Sequence, residues 1–114
     1  MPYISTKTNI EITKEKETTI KEKLGKAIEL IPGKSERWLM LSFEDNASLY
    51  FQGKSDGGIA FVEVKLFGSA SSSAYDKLTA AITDILKEEL GLSPDKVYVK
   101  YEEVSNWGYN GNNF

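Results

Sequence analysis

The strongest constraint in this sequence is its self-similarity. Sliding the chain along itself by roughly half its length lays Ile4-Ser5-Thr6-Lys7 on Val62-Glu63-Val64-Lys65. The same shift lays Leu39-Met40-Leu41-Ser42-Phe43-Glu44 on Val97-Tyr98-Val99-Lys100-Tyr101-Glu102. These runs overlap four segments rich in β-branched or aromatic residues, Tyr3 to Thr8, Trp38 to Phe43, Ile59 to Phe67 and Val97 to Tyr101, and each reads as a strand.

Between the members of each pair lies an amphipathic helix. The first follows Thr13 as its N-cap and places Glu15 and Glu17 early, where the helix dipole favours acids. It repeats apolar residues at Ile20, Leu24, Ala27, Ile28 and Ile31 and stops at Pro32-Gly33. The second is expected to begin near Ser73, with Asp76 completing a capping box, and to run through Leu78, Ile82, Ile85 and Leu86 to Leu90 before Gly91. Two β-α-β units predict an α+β fold: a pseudo-two-fold, four-stranded mixed sheet with both helices on one face, because each crossover is right-handed. At 114 residues, one domain spanning 1–114 is expected.

Strand alternation sorts the sheet's two faces. Leu39, Leu41, Phe43, Val62, Val64, Leu66, Val97 and Val99 are expected to meet the helices, whereas Trp38, Met40, Phe61, Phe67 and Tyr98 collect on the other side. That second face is too apolar for water and has no third helix to cover it, so self-association is expected. A monomer with an unusually aromatic open face is the alternative.

The composition narrows the chemistry. There is no cysteine, which excludes disulfides, thiolate nucleophiles and thiol-ligated metals, and no histidine, the commonest general base and metal ligand. Acid–base work near neutral pH is left to a shifted lysine, a shifted carboxylate or the amino terminus. A net charge of -3 argues against nucleic-acid binding, which needs a clustered excess of Lys and Arg. No apolar run approaches a membrane span and the first residues lack the pattern of a signal peptide, so the cytoplasm is the expected compartment. The stretch Gly53 to Gly58 reads as a turn-rich connector rather than a phosphate loop, since no helix follows it.

Met1-Pro2 then acquires weight. Methionine removal ahead of a small residue leaves proline as a terminal secondary amine, both nucleophile and proton acceptor. An unperturbed α-amino group has a pKa of about 7.7 to 8, and an apolar pocket or a neighbouring ammonium such as Lys34 lowers it. By itself Met-Pro is an ordinary way for a chain to begin.

Four motifs together resemble the macrophage migration inhibitory factor family and its D-dopachrome tautomerase relatives. They are Met1-Pro2 opening a strand, Gly33-Lys34 after the first helix, Ser93-Pro94-Asp95-Lys96-Val97-Tyr98 into the last long strand, and Trp107-Gly108-Tyr109-Asn110-Gly111 closing on Phe114. The resemblance covers essentially the whole chain. It implies a homotrimer whose sheets form an inner barrel, with a cofactor-independent keto-enol tautomerase site at each subunit boundary.

Carried onto this sequence, the resemblance makes Pro2 the catalytic base and Lys34 the receiver of a substrate carboxylate. Phe67 becomes an apolar pocket residue, Tyr98 a hydroxyl donated from the adjacent subunit, and Trp107, Tyr109 and Phe114 an aromatic wall. Lys100 stands where the mammalian cytokine has asparagine, which implies a second cation for the substrate. Trp107 replaces a smaller aliphatic residue. The family's cysteine pair is replaced across Ile59-Ala60-Phe61-Val62, so no thiol-disulfide activity is expected. The implied substrate is a phenylpyruvate-like aromatic 2-keto acid, with no metal or organic cofactor. Export without a signal peptide is compatible with the family.

Each residue also has a plainer role. Lys34 completes a helix dipole, Tyr98 is an interface aromatic, and the C-terminal aromatics pack a hairpin. A cytokine-like protein engaging a host receptor over a vestigial pocket is the competing function, and a ferredoxin-like binding module is a more distant one.

Overall fold

A computed structural model describes all residues of the chain, Met1–Phe114. The elements are β1 (Pro2–Thr8), α1 (Lys14–Ala27), β2 (Met40–Glu44), β3 (Ala60–Phe67), α2 (Ser72–Leu90), β4 (Val97–Val104), and a closing hairpin of β5 (Gly108–Tyr109) and β6 (Asn112–Asn113).

The repeat runs deeper than the strands. The shift that carries Ile4 to Val62 also carries Thr13 to Ser71, Gly33 to Gly91 and the 3-10 turn Glu36–Trp38 to the 3-10 turn Pro94–Lys96. Thr13 caps α1 by accepting the Lys16 N–H at 3.2 Å, and Ser71 caps α2 by accepting the Ala74 N–H at 3.1 Å. The second helix starts at Ser72, next to the expected Ser73, but its N-cap is Ser71, and the Ser73-Asp76 capping box does not form. Trp38 likewise closes a turn rather than opening β2, which starts at Met40, while β4 runs on past Tyr101 to Val104.

Gly33 and Gly91 both take left-handed backbone, with φ of 81° and 68°. At Gly91 this conformation lets its N–H and that of Leu92 reach the last carbonyls of α2. Gly91→Ala is expected to cost about 1–2 kcal/mol, the left-handed penalty of an L-residue, in urea unfolding. An unchanged midpoint would contradict that reading of the turn.

The sheet order is β2-β1-β3-β4. Its outer pairs, β1 with β2 and β3 with β4, are parallel, and the central pair β1 with β3 is antiparallel. Ser5 pairs with its own repeat counterpart, Glu63, which places the pseudo-two-fold axis between them. Tyr3 opposite Met40 and Phe61 opposite Tyr98 are equivalent pairs.

One face of this sheet packs on both helices. Ile4, Val62, Val64 and Leu66 are buried in one cluster with Ile20, Leu24 and Ile28 from the α1 region and Leu78, Ile82 and Leu86 from α2. Leu39, Leu41, Phe43, Val97 and Val99 point to the same cluster but are only partly buried, because β2 and β4 are the sheet's edges. Tyr101 ties β4 to α2: its hydroxyl lies 2.8 Å from the Thr79 hydroxyl and donates to the Tyr75 carbonyl at 3.0 Å. The opposite face is open, with Met40 68% and Tyr98 56% exposed.

Candidate active site at the start of the first strand

Proline lacks a ladder donor and is confined to strand starts and edges, which suits Pro2 as the first residue of β1. It is buried opposite Leu66 on β3. The Met1 carbonyl accepts the Phe67 N–H at 3.1 Å, which holds the chain end against the end of β3.

Lys34 reaches the same place from the turn after α1. Gly33 turns the backbone, the Lys34 N–H bonds the Ile31 carbonyl at 3.1 Å, and the Lys34 side chain donates to the Phe67 carbonyl at 3.0 Å. One N–H of the ammonium is engaged and two remain for another acceptor. The α-amino group of Met1 sits below its ordinary value, first because burial disfavours its charged form and second because the Lys34 ammonium is beside it.

A cavity of about 750 Å³ opens at this point, lined by Met1, Pro2, Tyr3, Arg37, Trp38, Leu39, Met40, Leu41, Trp107, Gly108 and Tyr109. No acidic side chain lines it. Its C-terminal wall is set by the closing hairpin, whose turn residues Asn110 and Gly111 have φ of 53° and 82°, the left-handed pair of a tight Asn-Gly turn. The aromatics then touch in series. Ring centroids are 5.2 Å apart for Trp38 and Tyr109, 6.4 Å for Tyr109 and Phe114, and 5.6 Å for Phe114 and Phe67. Phe67 in turn carries the carbonyl that holds Lys34.

Of the residues singled out in the sequence, Pro2, Trp107 and Tyr109 line this cavity, and Lys34, Phe67 and Phe114 join it through these contacts. Tyr98 and Lys100 do not meet it within one chain. Tyr98 pairs with Phe61, five positions along β3 from Leu66, a separation of about 16 Å at strand spacing. Lys100 lies opposite Glu63 with its ammonium 3.9 Å from Glu102. Arg37 was not anticipated, and Trp38, expected on the open face, stands in the cavity wall. A turn residue has no periodicity to betray it. The available signal was the repeat, which sets Glu36-Arg37-Trp38 against Pro94-Asp95-Lys96, where proline announces a turn.

The repeat also explains a second, smaller cavity of about 190 Å³ at the other end of β3. Its residues Ile59, Ala60, Phe61, Lys96 and Tyr98 are the counterparts of Met1, Pro2, Tyr3, Trp38 and Met40. The two cavities are thus pseudo-symmetric mouths of one duplicated fold. Only at the first do a chain end and a lysine meet, because Ile59, the counterpart of Met1, is internal to the chain and the counterpart of Lys34 is the buried Leu92.

No group of three or more His, Cys, Asp or Glu side chains is placed to hold a metal ion, and no helix is long and apolar enough to cross a membrane.

Among solved structures, Leishmania major MIF2 matches with a TM-score of 0.92 at 28% identity over 100% of this chain and 97% of that one. The macrophage migration inhibitory factor homologue from Prochlorococcus marinus matches with a TM-score of 0.88 at 25% identity over 98% of each chain. A protein crystallised after inactivation by 2-oxo-3-pentynoate shares the fold, with a TM-score of 0.84 at 16% identity over 96% of this chain and 92% of that one. Comparison with curated proteins finds no match. The family model of macrophage migration inhibitory factor (MIF) matches residues 1–114. With its sequence matched from end to end and its sheet, helices and amino-terminal cavity in the arrangement described, the chain belongs to the macrophage migration inhibitory factor family.

Proposed function

We propose that this protein is a cofactor-independent keto-enol tautomerase acting on phenylpyruvate-like aromatic 2-keto acids, with Pro2 as general base once Met1 has been removed. The observation that carries the reading is the position of Pro2. It lies at the edge of an apolar, aromatic-walled cavity, at a chain end whose amine is held down by burial and by Lys34. With Met1 attached, the Pro2 nitrogen is an amide and has no basic lone pair. Once it is the terminus, burial and Lys34 act on its secondary amine in the same direction, leaving free base at neutral pH.

Removing Met1 also withdraws the carbonyl that engages the Phe67 N–H. That donor and the two remaining N–H groups of Lys34 are then left open beside the Phe67 backbone for a substrate carboxylate, with the aromatic wall alongside for the ring. Pro2 takes a proton from the carbon next to the keto group. The C–H pair becomes the new carbon–carbon double bond, the carbonyl oxygen gains charge, and the proton held by Pro2 is returned to that oxygen, giving the enol and restoring the free amine. The positive charge of Lys34 favours that developing oxyanion.

In this reading the functional unit is a homotrimer that brings Tyr98 and Lys100 of a neighbouring chain towards each cavity. This accounts for the open face and for the distance of both residues from Pro2 in one chain. Light scattering is expected to give three times the chain mass. A monomer would leave Tyr98 outside the mechanism.

The pH profile tests the role of the amine. Activity rises as the amine loses its proton, so the acid limb of kcat/KM is expected below the ordinary α-amino value of about 7.7 to 8. Lys34→Ala should move that limb upward, because it removes the ammonium that, at the chain end as it stands, acts beside burial to lower the amine. It should also raise KM for 2-keto acids. An acid limb that ignores Lys34→Ala contradicts the assignment.

Labelling locates the base directly. 2-Oxo-3-pentynoate is a 2-keto acid with an electrophilic alkyne, so a free amine in the cavity should be alkylated by it. One adduct per chain on the Pro2 nitrogen is expected, and none on that nitrogen when Met1 is retained, because it is then an amide. An adduct on Lys34 alone would reverse the roles of the two groups.

A further inference from the structure

The cavity holds one charged side chain that the reaction does not use. Arg37 lines it from the 3-10 turn Glu36–Trp38, and its guanidinium lies 5.1 Å from the centre of the Trp38 ring. Stacking on an indole holds the planar fork in place while leaving its edge N–H groups open, the arrangement in which arginine receives a carboxylate through two parallel hydrogen bonds. Nothing in the chain occupies that edge as an ion partner, for Arg37 takes part in none of the salt bridges. The adjacent Glu36 does not serve, because its carboxylate lies against Gly25 of α1.

The series of ring contacts has Lys34 at one end, through the Phe67 carbonyl, and Arg37 at the other, through Trp38. A ligand whose one carboxylate is held by Lys34 leaves Arg37 without an anion. We propose that Arg37 and Trp38 form a second anion subsite, and that the preferred ligands are aromatic dianions bearing a 2-keto acid for Lys34 and a second carboxylate on the far side of the ring for Arg37. The inference rests on the proposed substrate pocket and names its substrate class more closely. Repeat symmetry marks the feature as specific to this mouth, since the counterparts of Arg37 and Trp38 are Asp95 and Lys96, which cannot form a stacked arginine.

The test reads binding, so that it stands apart from turnover. The chain's two tryptophans, Trp38 and Trp107, both line the cavity, and their fluorescence reports occupancy. Two unreactive probes are titrated into processed protein: 3-phenylpropanoate and 3-(4-carboxyphenyl)propanoate. The wild-type protein is expected to bind the dianion about 5- to 10-fold more tightly at low salt, the scale of a partly exposed charge-assisted contact, and the preference should shrink as salt is raised. In Arg37→Gln the ratio should fall to about one, and in Arg37→Lys part of it should return, because charge survives while the bidentate fork does not.

Equal binding of the two probes by the wild type, a preference retained in Arg37→Gln, or no binding of either probe overturns the subsite. Phenylpyruvate turnover on the same sample reports separately on the tautomerase reading. Turnover with no dianion preference removes the subsite alone, whereas a dianion preference without turnover removes the activity and leaves the subsite.

Discussion

A Pro2→Gly protein, processed to a glycine terminus, is expected to lose about 10²- to 10⁴-fold in kcat/KM for phenylpyruvate tautomerisation, the usual contribution of a positioned general base. Glycine keeps an amine at the terminus, so the loss measures what proline adds. Its ring is buried at the first position of β1, opposite Leu66, and fixes the direction of the nitrogen lone pair. A glycine amine at the same place is free to turn. The sheet ladder from Tyr3 to Thr8 does not depend on the ring, so circular dichroism and assembly mass should match wild type. A variant with full activity would mean that the terminal amine needs nothing the proline ring supplies, and would reject proline as the required base.

The largest stability effect is expected from Leu78→Ala. Leu78 is fully buried at the centre of the inner face of α2, in the cluster that joins both helices to Ile4, Val62 and Val64. Removing three carbons there leaves a cavity that the surrounding isoleucines cannot close, at a cost of about 2–5 kcal/mol. Against a typical stability of about 5–15 kcal/mol, that is a large share. The site is remote from the open sheet face, so the loss belongs to the fold of the chain and not to its assembly. Urea unfolding at fixed protein concentration measures it. A loss below about 1 kcal/mol would mean that the two helices are held mainly by their outer contacts, such as Lys23 with Glu88 and Glu89 at 3.0 and 2.7 Å.

The architecture was legible because the duplication is written in the residues that form it. Strand alternation and the apolar stripes of α1 and α2 gave the order of elements and the buried face, and the comparisons place the chain in the family that the motifs resembled. Errors arose where a local pattern competed with the repeat. Ser73 with Asp76 imitates a capping box, but Thr13 maps to Ser71, and the cap forms there. Trp38 has the composition of a strand residue, but its counterpart Lys96 ends a turn that Pro94 begins.

Tertiary placement of the site was harder to read. Arg37 lies in a turn, and only the folded chain shows that its guanidinium rests on Trp38 at the cavity wall. The separation of Tyr98 and Lys100 from Pro2 follows from strand register, which sequence alone does not number. The turn-rich connector expected from Gly53 begins one residue earlier, with a hairpin turn at Gln52 and Gly53 closed by Phe51 and Lys54 through N–H to carbonyl bonds of 2.8 and 3.1 Å, because Gln52 is not a residue that announces left-handed backbone.

The most direct test of the central claim combines intact mass with a phenylpyruvate tautomerisation assay on the same purified sample. The account predicts a mass lacking Met1 together with turnover that rises with pH as the Pro2 amine loses its proton. A processed Pro2 terminus that fails to turn over any aromatic 2-keto acid would contradict it and favour a family member that works by engaging another protein.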